Sequence, residues 1–145
     1  MSKQIHSLPF DEVPKVPRGN GIVNHLIASK HVGARNIHSG ITELPPGATV
    51  PRHTHNAEEQ VTVLKGRLRI NIEDRSVECG PFDSTFISAG VAHDFGNAGE
   101  ETAYVMVIYG SADVTRTFTS TGETVAIGSE RDRFPPPVPT AGGAG

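Results

Sequence analysis

An all-β fold, a sandwich or barrel of about nine or ten short strands, is what the sequence predicts, and three observations carry the prediction. Turn formers are abundant, with 16 glycines and 11 prolines among 145 residues, well above the roughly 12% that the two make up on average. Segments of β-prone residues recur along the chain, each set off by Gly, Asn, Asp or Ser, the spacing of a sandwich or barrel. Apolar residues follow period two wherever a period is visible, and no segment sustains a helical period beyond one or two turns.

Taken in order, residues 1–21 carry Pro9, Pro14, Pro17, Gly19 and Gly21, which forbids a continuous helix and predicts an extended arm packed on the domain or on a neighbouring subunit. The barrel is expected over 22–128. Its strands are read at Ile22 to Ile27, Ala34 to Leu44, Val61 to Leu64, Leu68 to Ile72, Ser76 to Cys79, Thr85 to Ser88, His93 to Phe95, Ala103 to Tyr109, Val114 to Thr119 and Thr124 to Ile127. Breaks fall at Pro45-Pro46-Gly47 and at the polar turn Glu73-Asp74-Arg75. Leu68, Ile70 and Ile72 share one face of their strand while Arg67, Arg69 and Asn71 take the other, so that strand is half buried. Tyr104-Val105-Met106-Val107-Ile108 is apolar on both faces, as in a central strand between two layers. Residues 129–145, a proline stretch from Phe134 to Pro139 and a Gly/Ala end, read as a stiff then flexible tail outside the core.

Charge narrows the partners. Thirteen basic and sixteen acidic side chains leave a formal charge of -3 and a pI near 6.1, which offers no broad basic surface for nucleic acid and no cationic face for anionic lipid. Small-molecule ligands are expected. A homodimer is also expected, since the open sheet edges of a sandwich invite pairing or cover. The longest apolar run, around Tyr104 to Tyr109, is far short of the roughly 20 residues that span a bilayer. With a single cysteine, Cys79, and no secretory leader pattern, the expected compartment is the cytoplasm. Cys79 precedes Gly80-Pro81 with no adjacent base, which reads as a packing residue and not a reactive thiol.

Of the seven histidines, His6, His25, His31 and His38 are isolated near loops or strand ends and carry no special expectation. His53 and His55 differ, because two positions apart on an extended segment they project to one face, with Glu58 and Glu59 just beyond. Two imidazoles from one strand can share a metal ion, a carboxylate adds an anionic oxygen, and His93, between Gly90 and Gly96, can supply a last ligand from a separate strand. Alone, an H-x-H pair is more often a surface coincidence. The full spacing is more specific: Gly47, five residues, His53-Thr54-His55, three residues, Glu59, six residues, Gly66.

This run resembles the first conserved motif of the cupin superfamily at every defining position. Gly90 to Asn97 is similar to the second motif in its Gly, His93 and Asn, while Ser88 replaces the motif's Pro and Gly80 stands two residues too far upstream for its leading Gly. The resemblance covers residues 47–97. It implies a double-stranded β-helix, or jelly roll, with a metal in the barrel mouth held by His53, His55, Glu59 and His93. Alternation supports the choice of glutamate independently, since Glu59 shares a face with Val61 and Val63 whereas Glu58 shares one with Gln60 and Thr62. Gly47 and Gly66 are read as strand-end turns with positive φ.

Three imidazoles and a carboxylate suit one divalent transition metal, with iron favoured and manganese, nickel, zinc or copper as alternatives. The expected activity is that of a non-haem iron dioxygenase acting on a small oxygen-bearing compound. The alternatives are a non-redox isomerase or lyase using the metal as a Lewis acid, and a binding protein without turnover. No separate acid or base is assigned, with Glu58 and Gln60 as candidate assistants. Phe95, on the face of His93, and Tyr104, Met106 or Ile108 are candidate cavity-lining residues.

Overall fold

The computed structural model describes residues 4–137. Twelve strands form two six-stranded, wholly antiparallel sheets. They are β1 (Lys15–Gly19), β2 (Ile22–Leu26), β3 (His38–Leu44), β4 (Thr49–His55), β5 (Glu59–Lys65), β6 (Leu68–Ile72), β7 (Arg75–Cys79), β8 (Ser84–Ile87), β9 (His93–Asn97), β10 (Ala103–Tyr109), β11 (Thr115–Phe118) and β12 (Thr124–Ala126). One sheet runs β1-β2-β3-β10-β5-β8 and the other β12-β11-β4-β9-β6-β7, so consecutive strands cross repeatedly between layers in the manner of a jelly roll. Among the described residues no helix is long and apolar enough to cross a membrane.

The core lies between the inner faces, where period-two alternation delivers Val61 and Val63 of β5, Leu68 and Ile70 of β6, Phe95 of β9, and Val105 and Val107 of β10. Cys79 is buried in the same cluster, in its expected packing role. β10 sits between β3 and β5 as a central strand should, but its faces are unequal. Ala103, Val105, Val107 and Tyr109 are buried, while Tyr104, Met106 and Ile108 are half-buried on the outer face. The expected strand from Ala34 starts late, at His38, because Lys30–Val32 forms a 3-10 turn closed by Gly33.

Two boundaries differ from the sequence reading. The expected arm contains β1, which pairs with β2 through a tight turn at Gly19-Asn20-Gly21, all three residues at positive φ. The proline and glycine spacing that excludes a helix there is equally that of a hairpin. The expected tail contributes to the core: Asp132 is 0% and Phe134 2% exposed. The Phe134 N–H donates to the Arg18 carbonyl at 2.6 Å, clamping this segment to β1. A Cβ at Gly19 would run into the Phe134 carbonyl oxygen, which explains a glycine there beyond its positive φ. Residues 138–145, which take in the end of the proline stretch and the flexible tip expected over 140–145, lie outside the described residues.

Candidate metal centre

The site is built by an irregularity in β4. Val50 pairs with Phe95 and His53 with His93, and the register shifts between the two pairs. Strict alternation from Val50 would turn Arg52 inward and His53 outward. The bulge at Pro51-Arg52 resets the parity, so Val50, His53 and His55 are all buried. Pro51, which cannot donate to a ladder, fits this central strand because it lies in the bulge. His93 arrives from β9 opposite His53, and Glu59 from the start of β5. Gly66 closes β5 at φ 87°, where a Cβ would stand 3.0 Å from Ala103 Cα.

All four residues singled out from the sequence converge. The His53 Nδ1–H donates to the Pro51 carbonyl at 2.6 Å, His55 to Thr115 at 3.0 Å and His93 to Val91 at 2.9 Å. A nitrogen facing a carbonyl must carry the hydrogen, so in each neutral ring Nε2 is left as a lone pair. One ligand nitrogen from each ring lies within 4.8 Å of the others, and the three buried histidines can hold a metal ion. Glu59 places Oε1 3.0 Å from His93 Nε2 and 3.5 Å from His55 Nε2. His93 Nε2 and both Glu59 oxygens are buried without a hydrogen-bond partner. Two acceptors 3.0 Å apart repel unless a cation, proton or metal, is shared, so the donor set fits a metal.

Electrostatics agree. Burial, then the charges of Arg116 and the neighbouring histidines, hold His53 well below its ordinary value, and burial takes His55 down to about 4. Burial alone would raise Glu59, but the His93 contact and the charges of His55, His93 and Arg116 outweigh it and leave the carboxyl lowered. His53 and His55 are therefore uncharged imidazoles at neutral pH beside the Glu59 carboxylate, the protonation states a metal requires.

Two further residues stand at the cluster, and the sequence reading missed both. Tyr109, in register with Glu59, brings its hydroxyl 3.4 Å from His55 Nε2. Burial and the Glu59 charge push its phenol well above the ordinary value, so it stays protonated. Arg116, in register with His55, is buried with Nη1 2.9 Å from His53 Nε2 and Nε 2.8 Å from Asp132 Oδ1, its guanidinium 4.9 Å from the Phe134 ring centre. A signal existed for Arg116: alternation puts it on the face of Val114 and Phe118, a charge on an apolar face.

Tyr109, Arg116, His38, Val50, Phe95 and Val107 line a cavity in the barrel interior. A cleft at the surface shares Leu26, His38 and Ile127 with it. Phe95 thus lines the cavity as expected, and His38, read as unremarkable, borders both spaces. Tyr104, Met106 and Ile108 do not line it, being on the outer face of β10, and Glu58 and Gln60 are exposed on the face opposite Glu59.

The class is thus a jelly-roll β-sandwich with a buried tri-histidine cluster, and Tyr109 and Arg116, which contact that cluster, line an internal cavity. Residues 40–109 match the family model described as a cupin domain. The chain is 28% identical over 102 residues to Protein SchB of Streptomyces halstedii, covering 70% of this chain and 74% of that protein. Its fold is similar to that of the polyketide cyclase RemF from Streptomyces resistomycificus, with TM-score 0.65, 21% identity, and 92% and 91% of the two chains covered. It is similar also to a cupin-superfamily sugar phosphate isomerase from Silicibacter pomeroyi, with TM-score 0.68, 18% identity, and 97% and 100% covered. The cupin-domain match over residues 40–109 and the jelly-roll fold agree with the resemblance read from the sequence.

Proposed function

We propose that this protein is a metal-dependent cupin enzyme, with His53, His55, Glu59 and His93 as ligands, that acts without redox chemistry on a small enolisable compound, as in cyclisation of a polyketone. The observation that carries the reading is the wall beside the donor set. It presents hydrogen-bond donors, the Tyr109 hydroxyl and the Arg116 guanidinium, suited to substrate oxygens. A bound metal supplies Lewis acidity, drawing charge from a substrate oxygen. Tyr109, kept protonated by burial, donates to the oxygen on which negative charge grows, while Arg116 offers a fixed positive charge to the same region. Val50, Phe95 and Val107 exclude water from the reacting carbon. The fold shared with a polyketide cyclase supports this substrate class.

The dioxygenase reading is second, favoured by the donor set itself, because three imidazoles and one carboxylate suit iron and leave coordination positions open. Loading the protein separately with zinc and iron and supplying 1,3-diketones and 1,3,5-triketones, with and without dioxygen, separates the readings. Zinc-supported turnover undiminished without oxygen is expected. Oxygen uptake in step with substrate loss, with iron alone, would establish the dioxygenase, and tight binding without turnover would leave a binding protein.

A further inference from the structure

Four charged side chains are sealed in the barrel: Arg18, Arg116, Asp132 and Glu59, each under 5% exposed. A divalent ion on the donor set, the reading above on which this inference rests, requires unprotonated histidine ligands; the four charges cancel among themselves, so the ion leaves two positive charges uncompensated. Buried charge of that size is costly unless a counter-charge enters.

Hydrogen-bond capacity leads to the same place. His53 Nε2 has one lone pair, which now accepts from Arg116 Nη1 at 2.9 Å. A metal that takes this lone pair leaves Nη1–H, on the cavity wall, without its acceptor. The guanidinium cannot simply withdraw. Asp132 holds its Nε side at 2.8 Å, Asp132 is itself fixed by the Gly128 N–H at 3.0 Å, and the Phe134 ring supports the guanidinium. Arg18, whose Nη1 donates to the Asp132 carbonyl at 3.0 Å, braces the same aspartate segment from β1.

We propose that Arg116 is the anion-recognising residue of the cavity, and that the metal-loaded barrel takes a ligand bearing an anionic oxygen, a carboxylate or an enolate, on the Nη1 edge that Asp132 leaves free. Asp132 acts as a positioning residue. Metal uptake frees the donor and creates the charge deficit together, so anion binding follows metal loading.

Calorimetric titration of zinc-loaded protein tests this, with malonate as the carboxylate probe, acetylacetone as the enolate probe and uncharged malonamide as the control, zinc per chain being measured on each sample first. Wild-type protein is expected to bind at least one of the two anions about tenfold or more tightly than malonamide, the scale of a charge-assisted hydrogen bond. Arg116→Gln should retain zinc and lose that advantage, binding the anions no more tightly than malonamide. Arg116→Lys, a point charge that cannot reach Asp132 and the cavity together, should fall between. Undiminished anion affinity in zinc-retaining Arg116→Gln or Arg116→Lys overturns the proposal, as does a wild type that does not discriminate malonamide from either anion. A wild type that takes no zinc instead removes the metal reading, and the proposal falls with it.

Discussion

Replacing Phe134 by Ala tests whether the C-terminal segment belongs to the core. The ring is 2% exposed, stands edge-on to Phe118 with centroids 6.5 Å apart and carries the Arg116 guanidinium 4.9 Å above it. Truncating a buried Phe costs roughly 3–5 kcal/mol through lost transfer energy and the cavity left behind. The aromatic pair contributes about 1 kcal/mol of this range and the buried cation contact a similar amount. An expected loss of about 4 kcal/mol is a large share of the roughly 5–15 kcal/mol that holds a domain together. Urea unfolding followed by circular dichroism measures it as a lower midpoint with unchanged slope. Phe82→Ala is the control, since Phe82 is 81% exposed, and should shift stability by less than about 0.5 kcal/mol. A Phe134→Ala loss under about 1 kcal/mol would refute the reasoning and return residues 129–137 to the role of a tail.

Three other outcomes are expected. His53→Ala or His93→Ala should abolish stoichiometric metal while leaving a β-type circular dichroism spectrum, because the strands and not the ion supply the core; retained metal in either would count against the ligand set. Metal-free protein should lose stability as pH falls. His55 is held at about 4 against its ordinary 6.5, so the unfolded chain binds the extra proton between those values. About 3 kcal/mol present above the higher value is lost on descending through the lower. His53 and Glu59, both lowered, act in the same direction, and a flat denaturation midpoint from pH 7 to 4 would contradict this. A homodimer is expected through the outer face of the β1–β8 sheet, where Phe86, exposed on β8, shares a row with Ile108 across Gln60. Light scattering at micromolar concentration should give a dimer mass that Phe86→Asp reduces to that of a monomer.

What could be read from the chain depended on whether period two had contrast to work with. On β5 the apolar Val61 and Val63 oppose the polar Gln60 and Thr62, so Glu59 was assigned inward from sequence and lies inward. On β10 both faces are apolar and the period is silent, so Tyr104, Met106 and Ile108 read as cavity candidates, whereas Val107 and Tyr109 line it. The missing parity could have been borrowed: β10 pairs with β5 so that Tyr109 meets Glu59, but that register is a tertiary fact. His53 and His55 share a face on any extended segment, whereas their burial with Val50 depends on a bulge at Pro51-Arg52 that leaves no mark in the hydrophobic pattern. Asp132 and Phe134 sit among prolines and charges and look like a linker in isolation. Their burial comes from β1, nearly the whole chain away, whose Arg18 carbonyl receives the Phe134 N–H. The ligand set was therefore legible because its residues lie close together in two short segments. Arg116, on which ligand charge depends, is held by Asp132 and Phe134 from the segment that looked like a tail, so its role emerges only once the barrel closes.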